Sequence, residues 1–244
     1  MDEELIKFYK ERKENIKAMT EDKELRKKSL DWMLYSEKYN FTYNFSWMGR
    51  PIIKYPNDMI VQQELIYQLR PDLIIETGIA HGGSIIFYSS LMDMMGINGE
   101  VVGVDIDIRK HNKELIEGHK FYDKISMYEG DSTDLSILKK VKDHIQEKKT
   151  VMVILDSLHT HDHVLKELEL YSPLVTKGSY VILPDTFIEF YPPGFFDRPW
   201  DVGNNPHSAM KEFLKNSKNF SIDKDLSAKA SITETMDGYL KRIA

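Results

Sequence analysis

Short apolar runs alternate with segments of helical period from residue 72 onward, and this alternation constrains the fold more than any other feature of the chain. The runs lie near 73–75, 101–104, 125–128, 151–155 and 180–183. They are separated by helical segments near 84–96, 111–119, 134–147 and 162–172. Continuous apolar strands that alternate with helices are typical of a parallel sheet covered on both faces. The pattern therefore predicts a doubly wound α/β domain.

The two ends of the chain depart from this central pattern. Residues 1–38 contain no glycine or proline and are rich in charge, with apolar residues at near-helical spacing, which predicts amphipathic helices near 2–19 and 22–38. After a helix near 207–216, antiparallel strands near 219–223 and 236–243 bring the mostly parallel sheet to seven strands. We expect residues 1–50 to form a helical N-terminal arm with an aromatic lead-in, and 51–244 to form the main domain. The arm is either a solvated helical pair or a cover for the site or a subunit contact.

A long segment rich in proline and glycine, 184–206, interrupts the alternation. Loops of this length inside a compact domain are usually functional or disordered. Its aromatic side chains are Tyr191, Phe195, Phe196 and Trp200. We expect a lid that closes over a substrate, with Arg198 or Arg50 available for an anionic group.

Composition excludes several classes of protein. The sequence has no cysteine, so disulfides, cysteine-ligated zinc, iron–sulfur clusters and thiol nucleophiles are excluded. Its 39 acidic against 33 basic residues argue against a general nucleic-acid binder. No apolar run approaches the roughly 20 residues that span a bilayer, and the start lacks the basic region of a signal peptide. We therefore expect a cytoplasmic protein with a small-molecule partner, no nucleic acid and no membrane span.

The first strand leads into a glycine-rich turn, residues 76–84, which reads Glu-Thr-Gly-Ile-Ala-His-Gly-Gly-Ser. Its glycine spacing is not that of a dinucleotide fingerprint, and it lacks the Lys-Ser/Thr ending of a phosphate-binding loop. Glycines let the backbone approach a ligand closely, and amides at a helix N-terminus favour an anionic group. The leading acid suits a ligand that also carries a cationic amino group. The alternative is a tight strand-to-helix turn without a ligand.

Acids also follow the second and third strands. Asp105 ends the second strand, where a carboxylate can accept hydrogen bonds from both hydroxyls of a ribose. Asp131 and Ser132 follow the third, where they can meet an adenine edge. The alternative for this pair is a helix N-cap.

The fourth and fifth strands end in Asp156 and Asp185. Adjacent strands lie about 5 Å apart, so both carboxylates can converge on one hard divalent cation. His159 lies three residues beyond Asp156, where it can act as a base. The alternative is that Asp162 caps the next helix and that the histidines of this segment, His161 and His163 above all, are surface polar residues.

As a set, these motifs resemble class I S-adenosylmethionine-dependent methyltransferases. More narrowly, the chain is similar to the cephalosporin hydroxylase and rhamnosyl O-methyltransferase family. Further segments with this resemblance are 47–51, 54–58, 155–164 and 205–214, so that it covers roughly 40–243. The hydroxylase label does not fit, because no two-histidine, one-carboxylate iron signature is present.

The resemblance implies a Rossmann-like fold and a role for each motif. Glu76, Gly78, Gly83 and Ser84 would hold the methionine part of S-adenosylmethionine. Asp105 would bind its ribose, and Asp131 and Ser132 would lie by its adenine. Asp156 and Asp185 would ligate Mg²⁺ or a similar ion, with His159 as the base. Relatives of this type carry an acid before the second metal aspartate, whereas this chain has Pro184, so Thr186 or water would complete the shell.

The predicted function is metal-dependent O-methylation of a small molecule, with a sugar or nucleotide-linked sugar of a surface polysaccharide as the favoured acceptor. Another phosphorylated small molecule or an antibiotic intermediate is an alternative. One competing hypothesis is a metallohydrolase that uses His159, His161 and His163. Another is a non-catalytic, cofactor-binding partner subunit. The amphipathic arm favours a homo-oligomer.

Overall fold

A seven-stranded sheet forms the centre of the protein in the computed structural model, which describes residues 2–244. The strands are β1 (Phe45–Trp47), β2 (Arg50–Ile52), β3 (Leu73–Thr77), β4 (Glu100–Asp105), β5 (Ile125–Glu129), β6 (Val151–Leu155), β7 (Tyr180–Ile182), β8 (Phe220–Ile222) and β9 (Tyr239–Arg242). β1 and β2 form a separate antiparallel hairpin, and the others form one sheet in the order β5-β4-β3-β6-β7-β9-β8. Within this sheet, β9 runs opposite to the other six strands. The predicted mostly parallel, seven-stranded, Rossmann-like sheet is confirmed.

Helices cover both faces of the sheet. They are α1 (Glu3–Glu21), α2 (Lys23–Ser36), α3 (Pro56–Leu69), α4 (Gly83–Met94), α5 (Lys110–Glu117), α6 (Leu135–Asp143), α7 (His161–Tyr171), α8 (Pro206–Asn216) and α9 (Lys224–Ala230). Successive strand residues point to opposite faces, so Ile74 joins the apolar cluster that includes α3 and α4, and Ile75 joins the one that includes α6, α7 and α8. Burial on both faces explains why the strand sequences are continuously apolar.

Local predictions differ from the structure at helices α3, α6 and α7, among other elements. Helix α3 was not expected, because its buried positions include Asp58 and Gln62 and so leave no clean apolar stripe. Helix α6 ends at Asp143, four residues before the predicted end. Its N-cap is Asp134, whose Oδ1 accepts a hydrogen bond from Ser136 N at 2.7 Å. The N-cap interpretation of Asp131 and Ser132 is therefore wrong, and so is that of Asp162, since Thr160 precedes α7.

The strand order reverses between β3 and β6. Strand β3 pairs with both β4 and β6, and its register with β6 runs from Leu73 opposite Val151 to Thr77 opposite Leu155. One further bond, from Asp156 N to Thr77 O at 2.9 Å, extends this contact past the strand end. Ligands of open α/β sheets bind outside the carboxyl ends of the strands at such a reversal. The fold therefore directs attention to the ends of β3 and β6.

The two N-terminal helices contact the main domain unequally. Helix α1 has no buried residue, although Thr20 Oγ1 donates to Asp225 Oδ1 at 3.1 Å. In α2, Met33 is fully buried in an apolar cluster with Tyr55, Phe187, Ile188, Tyr191 and Met236. The second helix thus packs onto the 184–206 segment, while the division into an arm and a main domain stays a prediction. Across residues 2–244, no helix has both the length and the apolar character needed to cross a bilayer.

Candidate active site

A cavity of about 1380 Å³ lies over the carboxyl ends of β3 to β7. Its walls come from the strand ends, the 187–200 part of the long loop and residues 34–43. Sites for one small ligand occupy about 300–1,000 Å³, so this cavity has room for two ligands side by side. Two ends are distinct in chemistry. We call the 78–84 loop with Asp105, Asp131 and Ser132 the glycine-loop end, and Lys54, Asp156, His159, Asp185 and Glu234 the acidic end.

Two glycines of the 78–84 loop occupy places that no side chain fits. Gly78 has a φ of +80°, and a Cβ there would lie 1.9 Å from the carbonyl oxygen of Asp156. Gly83 begins α4, and a Cβ there would lie 2.1 Å from the carbonyl oxygen of Pro51. The loop therefore lies directly against neighbouring backbone, which is why the sequence has glycine at both positions.

Glu76 lies beneath this loop rather than on the cavity wall. Its side chain is fully buried and accepts hydrogen bonds from Ser84 Oγ and from Tyr88 OH, the latter at 3.1 Å. Burial raises the pKa of Glu76 to about 7, against the opposing charge of Lys54. Ser84 does line the cavity. A ligand would therefore meet this pair through Ser84, and the role of Glu76 in binding stays a prediction.

Asp105 organises the glycine-loop end. Its Oδ2 accepts hydrogen bonds from Ile79 N at 2.9 Å and Ala80 N at 3.1 Å, and its Oδ1 accepts one from Asp107 N at 3.1 Å. The carboxylate lines the cavity and is held by backbone donors from two loops. Its position at the end of β4 is the one that the sequence predicted.

Asp131 and Ser132 also line the cavity, but each is engaged by its own neighbours. Asp131 Oδ1 accepts hydrogen bonds from both N and Oγ1 of Thr133 at 2.8 Å, which lowers the pKa of Asp131. Ser132 Oγ donates to the buried Glu167 at 2.6 Å. These contacts fix both side chains at the cavity wall.

Asp156, His159 and Asp185 come together at the acidic end. Each offers a ligand atom, and these atoms all lie within 4.8 Å of one another. His159 Nε2 lies 3.2 Å from Asp185 Oδ2. Asp185 adopts the left-handed conformation with a φ of 56°, which is costly for a residue other than glycine and is often found at functional sites. Burial raises the pKa of Asp185, and His159 opposes that shift. The two carboxylates suit a hard divalent cation, which prefers oxygen ligands.

Lys54 and Glu234 are site residues that the sequence did not predict. Lys54 is 1% exposed, and its Nζ donates to Asp156 Oδ2 at 3.0 Å and to Glu234 Oε1 at 3.1 Å. Burial alone would lower the pKa of Lys54, but the two carboxylates hold it well above its usual value. In the sequence, residues 54–58 contribute only to the family resemblance, and nothing around Glu234 indicates a site. Among residues 2–244, none donates to Asp156 Oδ1, which leaves that oxygen for a cation.

The three histidines after β6 do not converge. His161 Nδ1 lies 2.8 Å from Ser208 Oγ, and its Nε2 lies 3.3 Å from Glu212. His163 faces Ser132 and Ser157 instead of the acidic end. The hypothesis of a three-histidine metal cluster is therefore wrong. So is the surface interpretation of His163, which is 17% exposed and lines the cavity.

Two other side chains are engaged elsewhere. Arg50 is buried and donates to the carbonyl oxygen of His81 and, at 3.0 Å, to Asn112 Oδ1, so the expectation that it receives an anionic group is wrong. Thr186 is fully buried, and its Oγ1 donates to the carbonyl oxygen of Glu234 at 3.2 Å. Its hydroxyl thus supports the position of Glu234.

The 184–206 loop supplies the outer wall of the acidic end. The Trp200 ring packs edge to face on His159, with centroids 4.8 Å apart and an interplanar angle of 80°. Phe195, Phe196 and Arg198 also line the cavity. The loop contacts His159 directly, whereas its function as a lid stays a prediction.

The strand order, with a glycine-rich turn and acidic strand ends at its reversal point, is that of the class I methyltransferase fold. The chain belongs to the rhamnosyl O-methyltransferase/CmcI family, whose model matches residues 39–243. It is 30% identical over 220 residues to the rhamnosyl O-methyltransferases of Mycobacterium tuberculosis and Mycobacterium bovis, with 85% of this chain and 84% of each relative covered.

Solved structures of CmcI share the fold. An apo structure has a TM-score of 0.60 at 23% identity and covers 83% of this chain and 77% of that chain. A structure of CmcI with Mg and SAM has a TM-score of 0.58 at 24% identity and covers 83% and 78%. The family resemblance stated from the sequence is confirmed.

Proposed function

We propose that this protein transfers the methyl group of S-adenosylmethionine to a hydroxyl group of a sugar, free, nucleotide-linked or within a surface polysaccharide, with the help of a divalent cation such as Mg²⁺. One observation carries the proposal: the glycine-loop end and the acidic end open onto the same cavity and meet where Gly78 lies against Asp156. A methyl donor and an acceptor bound at these two ends would be neighbours.

The glycine-loop end fits the donor. The backbone at Gly78 and Gly83, together with Ser84, would hold its methionine part above the buried Glu76. Asp105 would accept hydrogen bonds from the ribose, and Asp131 and Ser132 would lie by the adenine. Bound there, S-adenosylmethionine supplies a methyl group on a positively charged sulfur. The relatives' membership in a methyltransferase family and the CmcI structure with Mg and SAM support this assignment.

The acidic end fits a divalent cation. Asp156 and Asp185 would be its protein ligands, since no residue of 2–244 donates a hydrogen bond to Asp156 Oδ1 and the ligand atoms of both side chains lie within 4.8 Å of each other. Asp156 and Glu234 both pair with Lys54, and Asp185 adds a third carboxylate beside Asp156, so an added positive charge is favoured there. A bound cation lowers the pKa of a hydroxyl group and orients it.

His159 is the proposed base. Asp185 and Trp200 hold its imidazole on two sides, and an imidazole is well suited to accept a proton near neutral pH. As the acceptor oxygen forms its bond to the methyl carbon, the carbon–sulfur bond breaks and its electron pair goes to sulfur. The products are the methyl ether and S-adenosylhomocysteine, with the hydroxyl proton on His159. The protein's largest contribution is to hold oxygen, carbon and sulfur in line.

The acceptor is assigned to sugars because the relatives carry the name rhamnosyl O-methyltransferase. Another phosphorylated small molecule or an antibiotic intermediate would be the second choice. In this proposal residues 1–50 form the arm, 51–244 form the catalytic domain and 184–206 close over the acceptor. The homo-oligomer and the cytoplasmic location stay predictions from the sequence.

The experiment is a methyl-transfer assay with S-adenosylmethionine, Mg²⁺ and a panel of nucleotide sugars and rhamnosides. We expect Asp156→Ala and His159→Ala each to lower kcat by about a hundredfold or more, the size typical of a lost base or cation ligand. His161→Ala is the matched control, because that side chain lies outside the cavity, and we expect it to retain activity. EDTA should abolish turnover, and Mg²⁺ should restore it.

Two results would contradict the proposal. Full activity of both cavity variants would remove the assigned roles of Asp156 and His159. Binding of S-adenosylmethionine without turnover on any acceptor would favour the non-catalytic partner subunit instead.

A further inference from the structure

Glu234 has a carboxylate oxygen at the cavity that the chemistry proposed above does not use. The residue is only 5% exposed, and it lines the cavity. Its Oε1 accepts a hydrogen bond from Lys54 Nζ at 3.1 Å, whereas no residue of 2–244 donates to Oε2. Oε2 is not among the fully enclosed polar atoms that lack a partner, so its remaining exposed surface faces the cavity. Buried polar groups are almost always paired, so this oxygen indicates a ligand.

Contacts from three segments hold this carboxylate in place. Besides the bond from Lys54, the backbone N of Glu234 donates to Asp58 Oδ2 at 2.9 Å, and its carbonyl oxygen accepts from Thr186 Oγ1 at 3.2 Å. Asp58 is itself fully buried and also accepts a hydrogen bond from Tyr239 OH at 3.2 Å. A polar group held in this way is oriented before a ligand binds, which lowers the cost of binding.

The free oxygen lies beside the candidate cation site but does not belong to it. The group whose ligand atoms lie within 4.8 Å of one another consists of Asp156, His159 and Asp185, without Glu234. Lys54 Nζ bridges the two, at 3.0 Å from Asp156 Oδ2 and 3.1 Å from Glu234 Oε1. A molecule bound at the cation site therefore has Glu234 as a neighbour, and that neighbour is left free to contact it.

The surroundings of this oxygen suit a sugar hydroxyl. A carboxyl oxygen pairs with a hydroxyl group in either charge state, because the hydroxyl both donates and accepts. Phe187 and Ile188 also line the cavity, and they pack in one apolar cluster with Met236, two residues beyond Glu234. Fixed polar groups beside apolar walls are typical of small-molecule sites, and a sugar ring presents hydroxyl groups beside apolar C–H faces. An anionic group would be repelled by the carboxylates of the acidic end.

We propose that Glu234 is a specificity-determining residue that binds a second, unreacted hydroxyl of the acceptor's sugar ring. With one hydroxyl at the cation site and another on Glu234 Oε2, the ring is held at two points, which orients the reacting oxygen. The acceptor is therefore a sugar with at least two free hydroxyl groups. The inference rests on the proposed function, because it assumes that a hydroxyl group is methylated beside His159.

Monodeoxy acceptors test the inference on the native protein. The methyl-transfer assay uses methyl α-rhamnoside, or the nucleotide sugar of the panel with the highest turnover, together with analogues that each lack one unreacted hydroxyl. We expect one analogue to lower kcat/KM by about ten- to a hundredfold, the effect of leaving a buried hydrogen-bonding group unpaired. The other analogues should change kcat/KM much less.

Glu234→Ala connects this loss to one side chain. In this variant the parent sugar and the critical analogue should be used equally well, because the partner of the missing hydroxyl is gone. Should the alanine variant not fold, Glu234→Gln keeps the shape of the side chain. Its amide oxygen is taken by Lys54, so an amino group replaces the acceptor oxygen at the cavity, and the preference should fall.

Glu100→Ala is the matched control. Glu100 also pairs with a lysine, Lys148 at 2.9 Å, but it begins β4 and so lies at the opposite edge of the sheet from the cavity. We expect this variant to keep the native preference between the sugar and its analogue.

Cation binding separates the proposed role of Glu234 from that of a metal ligand. In calorimetry with Mg²⁺ in the presence of S-adenosylhomocysteine, Asp185→Ala should lose cation binding. Glu234→Ala should retain it within about tenfold, the lower end of what contacts outside the ligand set cost.

The outcomes distinguish this inference from the proposed function. No turnover of any sugar by the native protein would overturn both together. Three results would overturn the inference alone: turnover with no loss on any monodeoxy analogue, a preference that persists in the variants at Glu234, or a loss of cation binding in Glu234→Ala as complete as in Asp185→Ala.

Discussion

The two ends of the cavity are built in opposite ways. At the glycine-loop end, backbone contacts set the positions of the residues. Asp105 accepts hydrogen bonds from two amides of the loop, and Gly78 and Gly83 fit against neighbouring backbone because they have no side chain. At the acidic end, charged side chains from distant segments meet, and Lys54 bonds to Glu234 across 180 residues of sequence. One end depends on local backbone geometry, and the other depends on the assembled tertiary structure. The two should therefore fail in different ways when they are altered.

Gly78→Ala is the substitution that we expect to disrupt the glycine-loop end most. The new Cβ would collide with the carbonyl oxygen of Asp156, and the residue would also carry an unfavourable positive φ. We expect the free energy of unfolding to fall by about 3 kcal/mol or more, from overpacking and backbone strain together. Urea unfolding measures the first effect, and calorimetry with S-adenosylhomocysteine should show a loss of affinity.

Gly178→Ala is the matched control for this substitution. Gly178 has a φ of +88°, but nothing lies within 4 Å of the place a Cβ would take. The strain alone should cost about 1–2 kcal/mol. If both variants lost the same free energy of unfolding, the close packing of Gly78 against Asp156 would contribute nothing to stability.

Glu76→Gln tests whether the buried acid beneath the loop is protonated in the folded protein. The pKa of Glu76 is raised from 4.5 to about 7 by burial. Between these two pH values the folded protein keeps a proton that the unfolded chain has released, so its free energy of unfolding falls as the pH rises. We expect Glu76→Gln to remove that decline, which amounts to about 3 kcal/mol for a shift of this size.

The measurement is urea unfolding at several pH values between 4.5 and 8. Ser84→Ala serves as the comparison, because it removes a hydrogen bond to Glu76 but keeps the carboxyl group, and so should retain the decline. The same pH dependence in Glu76→Gln as in the native protein would contradict this prediction.

Trp200→Ala tests the acidic end with a smaller effect. An edge-to-face aromatic pair contributes about 0.5–1.5 kcal/mol, so loss of the Trp200 contact with His159 should lower kcat by roughly three- to tenfold. Affinity for S-adenosylhomocysteine should not change, and Trp200→Phe should restore most of the activity. Trp47→Phe alters a similar pair with Phe87 in the core and should reduce stability without changing kcat.

The same contrast explains what could be predicted from the sequence. Strand runs are read from local apolar residues, and acids at strand ends follow directly from them, so the sheet was predictable and Asp156 and Asp185 could be expected to meet. Lys54 and Glu234 could not be predicted, because no local pattern indicates that Lys54, which precedes α3, donates to both Asp156 and Glu234. His163 was misassigned for a related reason: its partner Glu167 is buried by α7 packing, which a charge pattern does not reveal.

Short secondary-structure elements were also difficult to predict from the sequence. The hairpin of β1 and β2 has three residues in each strand, too few for an alternation to be recognised. Helix α3 buries Asp58, whose Oδ2 accepts from Glu234 N at 2.9 Å. The polar residue that obscured the helix in the sequence is thus the one that anchors the segment carrying Glu234.

The register between β3 and β6 also sets the distance between the two reacting groups. One strand leads into the loop that would carry the methyl group, and the other leads into the aspartate that would orient the oxygen. A slip of one residue between them would displace one end relative to the other by about 3.3 Å, which is as large as the gap of about 3–3.5 Å between reacting atoms. The five paired positions from Leu73 to Thr77 therefore fix the distance between the two ends of the cavity as well as the pairing of the strands. A register shift between β3 and β6 would separate the reactants although each of the two binding sites stayed intact.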